Sequence, residues 1–348
     1  MIAIKTRPVG YTKDHALIQA YSIENGNVCC QLSDYGATLL NLFVPDRYGH
    51  LDDVVLGYDD ITGYFHNPSN FGATIGPSAN RTAKGQVPID GKLFRMPQNE
   101  GENNLHTDLT CGLHKVLWDA LIHKTGITFK KELSDGMYGL PGNRKIQVDY
   151  TLTEDNTLRI TYDAKTDQDT LFNLTNHSYF NLAGEGNGTV LDHTLRLGSS
   201  AFTPIGDGLL PTGEIRRVSG TPMDFTDFHT FGERIFDAEE QLTKAGGYDH
   251  NFVIDGFSDT QTLAFAAEVK EVHSGRHMCV YTTLPGVQLY TGNYVDEPCG
   301  KRGHSYDKYS GFCLETQFYP DNVHHAAFPS AIFSKEHPYQ SVTEFRFG

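Results

Sequence analysis

Short apolar runs separated by turn residues occupy most of this 348-residue chain. The runs are about four to eight residues long and rich in Val, Ile, Leu, Thr, Phe and Tyr, and clusters of Gly, Asn and Asp separate them. Sustained helical periodicity is nearly absent, and 35 glycines punctuate the sequence. Because half-apolar strands need a second layer to bury their apolar faces, we predict an all-β protein in which two sheets pack face to face.

The same pattern predicts some of the connections. Residues 145–153 and 157–165, joined by a Glu-Asp-Asn turn, are expected to form a β-hairpin. The best helix candidate is residues 231–243, and a second short helix is predicted within residues 59–67. Since no low-complexity linker, repeat or change of composition interrupts the chain, we expect one domain spanning residues 1–348.

The charge of the chain narrows its possible partners. A formal charge of −15 at pH 7 disfavours nucleic acid and anionic membranes, and weakly disfavours anionic substrates. The first residues lack the apolar stretch of a signal peptide, and no apolar run approaches the length that crosses a bilayer. Six scattered cysteines without a C-x-x-C pair favour reduced thiols. We therefore expect a cytoplasmic protein, whose oligomeric state, monomer or homodimer, the sequence leaves open.

The segment NLTNHSYFNL, residues 173–182, mixes core-type side chains with three amides and a histidine. If residues 171–182 form one strand, alternate side chains face opposite sides. The side formed by the odd-numbered residues is polar throughout and carries Asn173, Thr175, His177, Tyr179 and Asn181. A lone histidine is more often a solvated or hydrogen-bonded structural residue. A face of Asn, His and Tyr nevertheless suits a small polyhydroxylated ligand, because each group donates or accepts hydrogen bonds.

A second segment, GFCLETQFYP at residues 311–320, places Glu315 among apolar neighbours. One interpretation is a carboxylate that pairs with Arg or Lys of another strand. The other is a carboxyl group whose pKa is raised by burial, which suits it to exchange protons near neutral pH. The residues alone leave both interpretations open.

Three turn-like segments contain further polar groups. ANRTAKG contains Asn80 and Arg81, NNLHTD contains His106, and GGYDHNF contains Asp249 and His250. Each segment has a plain structural explanation, as a turn or a cap, when it is considered alone. Their functional significance therefore depends on whether they occur together in a known pattern.

Together these segments resemble the aldose 1-epimerase family, which includes the galactose mutarotases. The stretches NLTNHSYFNL, GGYDHNFV, PGVQLYTGN and GFCLETQFYPD are nearly letter for letter similar to its signatures. Looser matches occur in the same order as in the family, so the resemblance extends from Tyr35 to Ser330. These looser matches are YGATLLNLFVPDRYGHLDDVVLGYD, IGPSANRTAKG, NEGENNLH, MYGLPGN and FPS. The resemblance implies a large twisted β-sandwich with few short helices and a sugar cleft on one concave face.

The resemblance also implies an activity, the interconversion of α and β anomers of hexoses such as galactose and glucose. Opening the pyranose ring requires a base at the C1 hydroxyl and an acid at the ring oxygen, and closure reverses their roles. By resemblance, His177 is the general acid and Glu315 the general base, acting on a small-molecule sugar. Sugar-binding roles are implied for Asn80, Arg81, His106, Asp249 and Gln288, with Tyr179 as a weaker candidate.

This chemistry leads to expectations about protons and cofactors. Neither a metal nor another cofactor is expected, because the reaction needs only proton transfers. A nearby carboxylate is expected to keep His177 charged. The rate is then expected to fall at low pH as Glu315 becomes protonated, and at high pH as His177 loses its proton.

Two departures from the family's pattern concern substrate preference. The family usually has two glycines after its histidine, where this chain has Thr107 and Asp108, and many members carry an arginine at the position of Pro77. Threonine and aspartate cannot copy every backbone angle open to glycine. We therefore expect the loop after His106 to narrow or re-aim the cleft and to change the ranking of galactose, glucose and disaccharides.

Several alternatives stay open. An epimerase of hexose 6-phosphates on the same fold should show clustered basic residues, but the functional segments contain only Arg81 and Lys84. A disaccharide (maltose) epimerase on this fold is also possible. A glycoside hydrolase would use Asp249 and Glu315 as its carboxylate pair and leave His177 unexplained. A non-catalytic sugar-binding protein would be free to lose His177 or Glu315, and both are present. For a metal site the sequence shows no H-E-x-x-H or comparable ligand motif.

Overall fold

Antiparallel strands form most of the regular structure in residues 2–258 and 262–348, the part of the chain that this computed structural model describes. In chain order the strands are β1 Ala3–Tyr11, β2 Leu17–Glu24, β3 Cys29–Ser33, β4 Thr38–Pro45, β5 Leu51–Asp53, β6 Ala73–Ile75, β7 Arg81–Thr82, β8 Gln86–Ile89, β9 Lys92–Arg95, β10 Asn104–Leu105, β11 Asp119–His123, β12 Gly126–Leu133, β13 Arg144–Leu152, β14 Thr157–Thr166, β15 Thr170–Leu171, β16 Thr175–His177, β17 Thr194–Leu197, β18 Ala201–Thr203, β19 Arg216–Arg217, β20 His229–Thr230, β21 Asp249–Val253, β22 Ala264–Lys270, β23 His277–Thr282, β24 Gly286–Tyr290, β25 Cys313–Gln317, β26 Ile332–Phe333 and β27 Tyr339–Phe347. The α-helices are α1 Gly63–His66 and α2 Glu240–Ala245, and 3₁₀ turns occupy Ala83–Gly85, Leu113–Lys115, Met137–Gly139, Asp207–Leu209, Phe231–Glu233, Lys301–Gly303 and Asn322–His324. The predicted all-β class with few short helices is confirmed.

Three sheets contain most of these strands. One has nine strands in the order β11-β12-β13-β14-β27-β23-β22-β17-β20, the second is the meander β1-β2-β3-β4-β5, and the third has the order β19-β18-β21-β24-β25. The predicted hairpin is confirmed as β13 and β14, which pair from Arg144 opposite Thr166 to Leu152 opposite Leu158. Four short two-stranded sheets accompany them among the described residues. They pair β7 with β10, β6 with β16, β8 with β9 and β15 with β26.

β16 and β25 pack against the nine-stranded sheet. The layer between β14, β27, β16 and β25 contains Ile160, Tyr162, Thr175, Asn176, Leu314, Thr316, Thr343 and Phe345. Within it the hydroxyl groups of Thr316 and Thr343 lie 2.6 Å apart. Because side chains alternate along a strand, Glu315 points to the opposite side from Leu314 and Thr316. Packing on the large sheet therefore fixes β25, whose other side carries Glu315.

Residues 171–182 do not form the single strand that their composition predicts. The chain makes only β15 and β16 in this region, and every residue from 171 to 182 is buried, so that no side of the segment is solvated. Asn173 donates to the carbonyl of Phe318 at 3.1 Å and accepts its N–H at 2.9 Å. Asn176 and Asn181 donate to other backbone carbonyls. The three amides thus satisfy backbone groups where the strand ladder is interrupted, and Asn173 and Asn181 do not serve a ligand as expected.

The helix predicted over residues 231–243 is also wrong as a single element. The structure has a 3₁₀ turn at its start and then α2, which begins only after Glu239. The Glu239 side chain accepts the N–H groups of Gln241 and Leu242 at 2.7 and 3.1 Å, and its own backbone is extended, so the helix cannot continue back through it. The second predicted helix is confirmed as α1. Among the residues described, no helix has the length and apolar character needed to span a membrane.

Candidate active site

A cavity of about 230 Å³ opens beside β16, β21, β24 and β25. Its lining brings together the predicted residues Asn80, Arg81, His106, His177, Tyr179, Asp249 and Glu315. Gln288 lies beside this lining, where its Nε2 donates to Oδ1 of Asp249 at 2.7 Å. A larger surface cavity of about 400 Å³, next to Tyr35 and Phe65, has no histidine in its lining. The polar groups selected from the sequence therefore converge on one cavity whose size suits a single small molecule.

Strand register explains how Asp249, Gln288 and Glu315 come together. The three strands β21, β24 and β25 are neighbours in that order. Asp249 is opposite Tyr290, and Gln288 is opposite Glu315. Since side chains of opposite residues lie on the same side of a sheet, these groups share the side that faces the cavity.

A short pairing of β7 with β10 brings two loop residues to the same cavity. Leu105 is opposite Arg81, so the residues just outside the pairing, Asn80 and His106, are adjacent. Both have left-handed backbone angles, with φ of +59° and +54°. The backbone N–H of Asn80 donates to Nδ1 of His106 at 3.1 Å. These contacts hold the imidazole of His106 at the cavity wall.

The pair formed by His177 and Glu315 is the chemical centre of the cavity. Nε2 of His177 lies 3.7 Å from Oε2 of Glu315, and both side chains are buried. Burial raises the pKa of Glu315 well above its ordinary value, and the negative charge of Asp249 adds to this, against a lowering by Arg81. Burial lowers the pKa of His177 to about 4. Burial therefore favours the neutral form of both groups and drives a proton shared by the pair toward Glu315.

The expectation that a nearby carboxylate keeps His177 charged is wrong for this structure. The loss of hydration disfavours the imidazolium and the carboxylate alike, although Nε2 of His177 and Oε2 of Glu315 are only 3.7 Å apart. The sequence could not reveal this, because the effect depends on how completely the fold encloses both groups.

A buried thiol contacts the other nitrogen of His177. Sγ of Cys313 lies 3.6 Å from Nδ1 of His177. Burial raises the pKa of the Cys313 thiol well above its usual range, which favours the protonated thiol as a donor to Nδ1. An S–H that donates to Nδ1 leaves the proton of a neutral imidazole on Nε2, the nitrogen that faces Glu315.

His106 is a hydrogen-bond donor in this arrangement. Burial lowers its pKa well below the ordinary value, and the neighbouring charges of His177 and Arg81 act in the same direction. The ring is thus neutral, and Nδ1 already accepts the N–H of Asn80. Its proton must lie on Nε2, where it is free to bind a ligand oxygen.

Arg81 is shared between two carboxylates. Its Nε and Nη2 donate to the two carboxylate oxygens of Glu100 at 2.8 and 2.7 Å. Its Nη1 lies 3.9 Å from Oδ2 of Asp249. Burial opposes the charge of Arg81, but these two acidic partners outweigh it and raise its pKa. Burial likewise raises the pKa of Asp249, against the lowering by Arg81 and the hydrogen bond from Gln288.

Sequence reasoning missed several residues of the lining. Tyr290 lies two positions after Gln288 on β24, so strand alternation alone could have placed it on the same side. Glu100, Asn70 and Tyr294 also line the cavity. No local pattern distinguishes these three from ordinary surface or turn residues, because long-range folding brings them to the site.

The loop after His106 differs from expectation. Thr107 has a φ of +69°, a left-handed angle that glycine adopts readily and threonine rarely. Its hydroxyl accepts the N–H of Ser78 at 2.8 Å and donates to the Ser78 carbonyl at 3.0 Å, which compensates an unfavourable conformation. Asp108 accepts backbone N–H groups of its own turn. Neither side chain belongs to the cavity lining given above, so an effect on sugar selectivity stays a prediction without direct contact to support it.

Three of the cavity residues also form a donor set suited to a metal. Ligand-type atoms of His106, His177 and Glu315 lie within 4.8 Å of one another. Two imidazoles and one carboxylate are found in catalytic zinc sites. The motif search could not detect this set, because its members come from three distant segments. A chelator therefore distinguishes chemistry that uses a metal at this donor set from chemistry that uses only protons.

Comparison with known proteins gives consistent results over nearly the whole chain. The sequence pattern of the aldose 1-epimerases matches residues 19–346. The galactose mutarotase of Bos taurus is 40% identical over 331 residues, which covers 95% of this chain and 94% of that protein. The aldose 1-epimerase of Escherichia coli is 32% identical over 93% of both chains. Among solved structures, an aldose epimerase homologue from C. elegans superposes with a TM-score of 0.84 at 31% identity, covering 92% of this chain and 96% of that one. A galactose 1-epimerase from Lactobacillus acidophilus superposes with a TM-score of 0.86 at 23% identity, covering 100% and 99%.

Proposed function

Because the chain belongs to the aldose 1-epimerase family, we propose that His177 and Glu315 open and close the pyranose ring of its sugar substrate. The protein is an isomerase, a mutarotase that interconverts the α and β anomers of hexoses. The observation that carries the proposed roles is the buried pair, 3.7 Å apart, inside a polar cavity. A bound sugar that contacts both groups would have its C1 hydroxyl and its ring oxygen within reach of a base and an acid.

The proposed cycle moves two protons. The Glu315 carboxylate removes the proton of the C1 hydroxyl while Nε2–H of protonated His177 donates to the ring oxygen, and the C1–O5 bond breaks. Rotation about the C1–C2 bond then presents the other face of the aldehyde. On closure O5 attacks C1, its proton passes to His177, and Glu315 returns a proton to O1. The pair ends the cycle in the protonation state in which it began.

Substrate binding has to place the shared proton on His177. In the protein alone burial favours the proton on Glu315, whose Oε2 is buried without a hydrogen-bond partner among the residues that the structure describes. A sugar hydroxyl that donates to this oxygen stabilises the carboxylate and thereby favours transfer of the proton to His177. Since the transfer occurs within the pair, it changes no net charge and depends little on pH.

The remaining lining residues are proposed to bind the sugar. Nε2–H of His106 and the free donors of Arg81 suit hydroxyl oxygens, whereas Asp249 and Gln288 suit hydroxyl protons. Oε1 of Gln288 is buried and has no hydrogen-bond partner within residues 2–258 and 262–348, which supports this role. A ligand that leaves such a group unpaired loses about 1–3 kcal/mol, so these residues select a polyhydroxylated ring. Asn80 acts mainly through His106, which it positions.

Charge at the site supports a neutral hexose as substrate. Arg81 is the one cationic side chain in the lining described above, and it is already paired with Glu100 and lies near Asp249. A phosphate group would have to compete with these carboxylates for Arg81. We therefore propose galactose and glucose as substrates, in preference to hexose 6-phosphates.

Polarimetry on freshly dissolved α-galactose and α-glucose tests the proposed function. The purified protein is expected to accelerate the change of optical rotation for both sugars and to leave the final rotation unchanged. The same rate is expected after dialysis against a metal chelator, since the proposed chemistry uses only protons. Loss of the rate in chelator and its recovery with Zn²⁺ would instead assign the donor set of His106, His177 and Glu315 to a metal.

Substitutions of two binding residues are expected to act mainly on affinity. Arg81→Ala and His106→Ala remove hydrogen bonds to the sugar but no proton carrier, so we expect KM to rise about 10-fold or more while kcat changes less. Arg159→Ala, which removes an arginine that pairs with Glu344 outside the cavity, serves as the control. An unchanged KM together with loss of most of kcat would show that the residue takes part in the chemical step.

Cys313 is expected to influence the pH dependence through His177. Its S–H bond to Nδ1 stabilises the neutral imidazole, so Cys313→Ala should raise the pKa of His177 from about 4 and move the acidic limb of kcat/KM to higher pH. Cys313→Ser keeps a donor and should leave that limb near its original position. Glu315 and His106 face the same ring and remain unaltered in both variants. An acidic limb that is identical in all three proteins would contradict this role.

Other properties are also proposals. A buried apolar cluster that includes residues from Tyr21 to Phe347 supports a single domain over residues 1–348. The net charge of −15 supports a protein that binds neither nucleic acid nor anionic membranes. A cytoplasmic location and a monomeric or homodimeric state remain predictions.

A further inference from the structure

The last turn of the short helix α1 is bound by a lysine from a distant part of the chain. Carbonyl groups in the last turn of a helix have no partner within that helix. Nζ of Lys115 donates to the three carbonyls of residues 64–66, at 3.3, 3.4 and 2.7 Å. Lysine side chains are known to bind helix ends in this way. Lys115 therefore fixes the carboxyl-terminal end of α1.

The backbone that carries Lys115 is itself well fixed. Lys115 is the last residue of a 3₁₀ turn. The indole N–H of Trp118, a buried residue, donates to the carbonyl of Leu113 at 2.9 Å. The backbone N–H of Gly36 donates to the carbonyl of Val116 at 2.8 Å. Lys115 thus connects α1 to a support that is anchored on both sides of it.

The chain passes from α1 directly into the wall of the sugar cavity. Residues 68–70, which we call the wall segment, line that cavity. Asn67 and Asn70 have left-handed backbone angles, with φ of +33° and +57°, so the chain turns sharply here. Further on, Ala73 of β6 is opposite His177 of β16. One end of the wall segment is therefore fixed by strand pairing and the other by α1.

The surroundings of Lys115 show what its removal would do. Lys115 is half-buried, and burial lowers its pKa to about 8. The three carbonyls replace part of the hydration that the ammonium group has lost. Lys115 also lines the larger surface cavity of about 400 Å³, so water can reach these carbonyls if the side chain is shortened or made apolar. Loss of the ammonium group should therefore loosen the wall segment without unfolding the protein.

We propose that Lys115 is a positioning residue for sugar binding, which acts by holding the wall segment in place through α1. Lys115 does not belong to the cavity lining given above, so its influence passes through the backbone of α1. The wall segment carries no proton in the proposed cycle, and His177 keeps its strand pairing with β6. The effect is therefore on affinity for the sugar and not on the chemical step. This inference rests on the proposed function, because the sugar is the substrate of that reaction.

Polarimetry with galactose and glucose on purified variants tests the proposal. Lys115→Met keeps the length of the side chain but removes its charge and its donors. We expect KM to rise about 2- to 10-fold for both sugars, the effect of weakening about one hydrogen bond, while kcat stays within about 2-fold. Lys115→Arg keeps a charged donor and should retain most of the wild-type affinity. Backbone hydrogen exchange at residues 67–73, followed by mass spectrometry, should be faster in Lys115→Met than in wild type or Lys115→Arg.

The matched control is Lys131→Met. Lys131 is also half-buried, and its Nζ donates to a carbonyl at 2.7 Å, but that carbonyl belongs to Leu117, outside α1. This variant should keep the wild-type KM and the wild-type exchange at residues 67–73. If Lys115→Met does not fold, Lys115→Gln, which keeps a donor without the charge, takes its place in the comparison.

Three results would overturn the role of Lys115. They are an unchanged KM in Lys115→Met, an equal rise of KM in Lys115→Met and Lys131→Met, and a loss of kcat with KM unchanged. A Lys115→Arg variant that binds sugar as weakly as Lys115→Met would also count against it. A wild-type protein that converts neither galactose nor glucose would instead refute the proposed function, so the two failures are distinguishable.

Discussion

Glu315→Gln is expected to lower kcat by at least about 10²–10⁴-fold, the usual contribution of a positioned acid or base. The amide keeps the size of the side chain and its place opposite Gln288, but it cannot carry a proton between O1 and the enzyme. In the free enzyme the active pair holds one proton, and loss of that proton from Glu315 defines the alkaline limb of kcat/KM. The variant should therefore also lack that limb in its residual activity.

Stability separates this chemical effect from misfolding. Burial raises the pKa of Glu315 in the folded protein, so the folded state binds the proton more tightly than the unfolded state. Stability due to this group is present at low pH and is lost as pH rises from the ordinary carboxyl pKa through the raised one. Glu315→Gln removes this loss, and its Tm at pH 8 should equal or exceed that of the wild type. A folded variant with near wild-type turnover would end the assignment of Glu315 as the base.

The matched control is Glu344→Gln. Glu344 is also a buried glutamate, but it pairs with Arg159 and Arg346 on the nine-stranded sheet. Its substitution should lower Tm and leave kcat close to the wild-type value. Glu315→Gln is thus expected to lower kcat without lowering Tm, whereas Glu344→Gln is expected to lower Tm without lowering kcat. Measurement of Tm and kcat on the same samples tests both expectations.

His177→Asn is expected to lower kcat by a similar factor, about 10²–10⁴-fold, because it removes the group that protonates the ring oxygen. In the wild type, uptake of a second proton by the pair, with a pKa of about 4 at His177, defines the acidic limb of kcat/KM. This reverses the assignment expected from the sequence, in which Glu315 determined the acidic limb. The variant should lack an acidic limb near pH 4.

His193→Asn provides the comparison for this second substitution. His193 is also buried, and burial lowers its pKa to about 4, but its Nε2 accepts the backbone N–H of Leu182 outside the cavity. This variant should lose stability and keep the pH profile. Combining Glu315→Gln with His177→Asn should cost less than the product of the single effects, because the two groups act as a unit. Fully multiplicative losses would indicate that they act independently.

The fold could be predicted where local pattern and tertiary environment agree. Alternation along residues 145–165 predicted β13 and β14, because one side of that hairpin packs against the core. Residues 171–182 and 231–243 were misassigned for a common reason. In both, polar side chains bind backbone groups, Asn173 at Phe318 and Glu239 at the start of α2, and such contacts are decided by the three-dimensional arrangement.

The site was predictable to a similar extent. Motif resemblance selected seven residues that line the cavity and Gln288 beside it. The resemblance did not identify Glu100, which matters because it binds Arg81. It also did not predict which residue of the catalytic pair carries the proton. The latter depends on burial, which is a property of the completed fold. Tyr294 was missed because its position at the cavity mouth depends on the loop that follows β24.

The enclosure of His177 and Glu315 has a consequence for how the enzyme relates to the solvent. Ring opening and ring closure return each proton to the group that lent it, so the pair is regenerated without help from buffer or water. The site therefore exchanges no proton with the solvent during a turnover, because the same His177 nitrogen and Glu315 oxygen serve both directions of the reaction. Such a device cannot favour one anomer over the other. It can only shorten the time in which a sugar mixture relaxes to the composition that its own chemistry dictates.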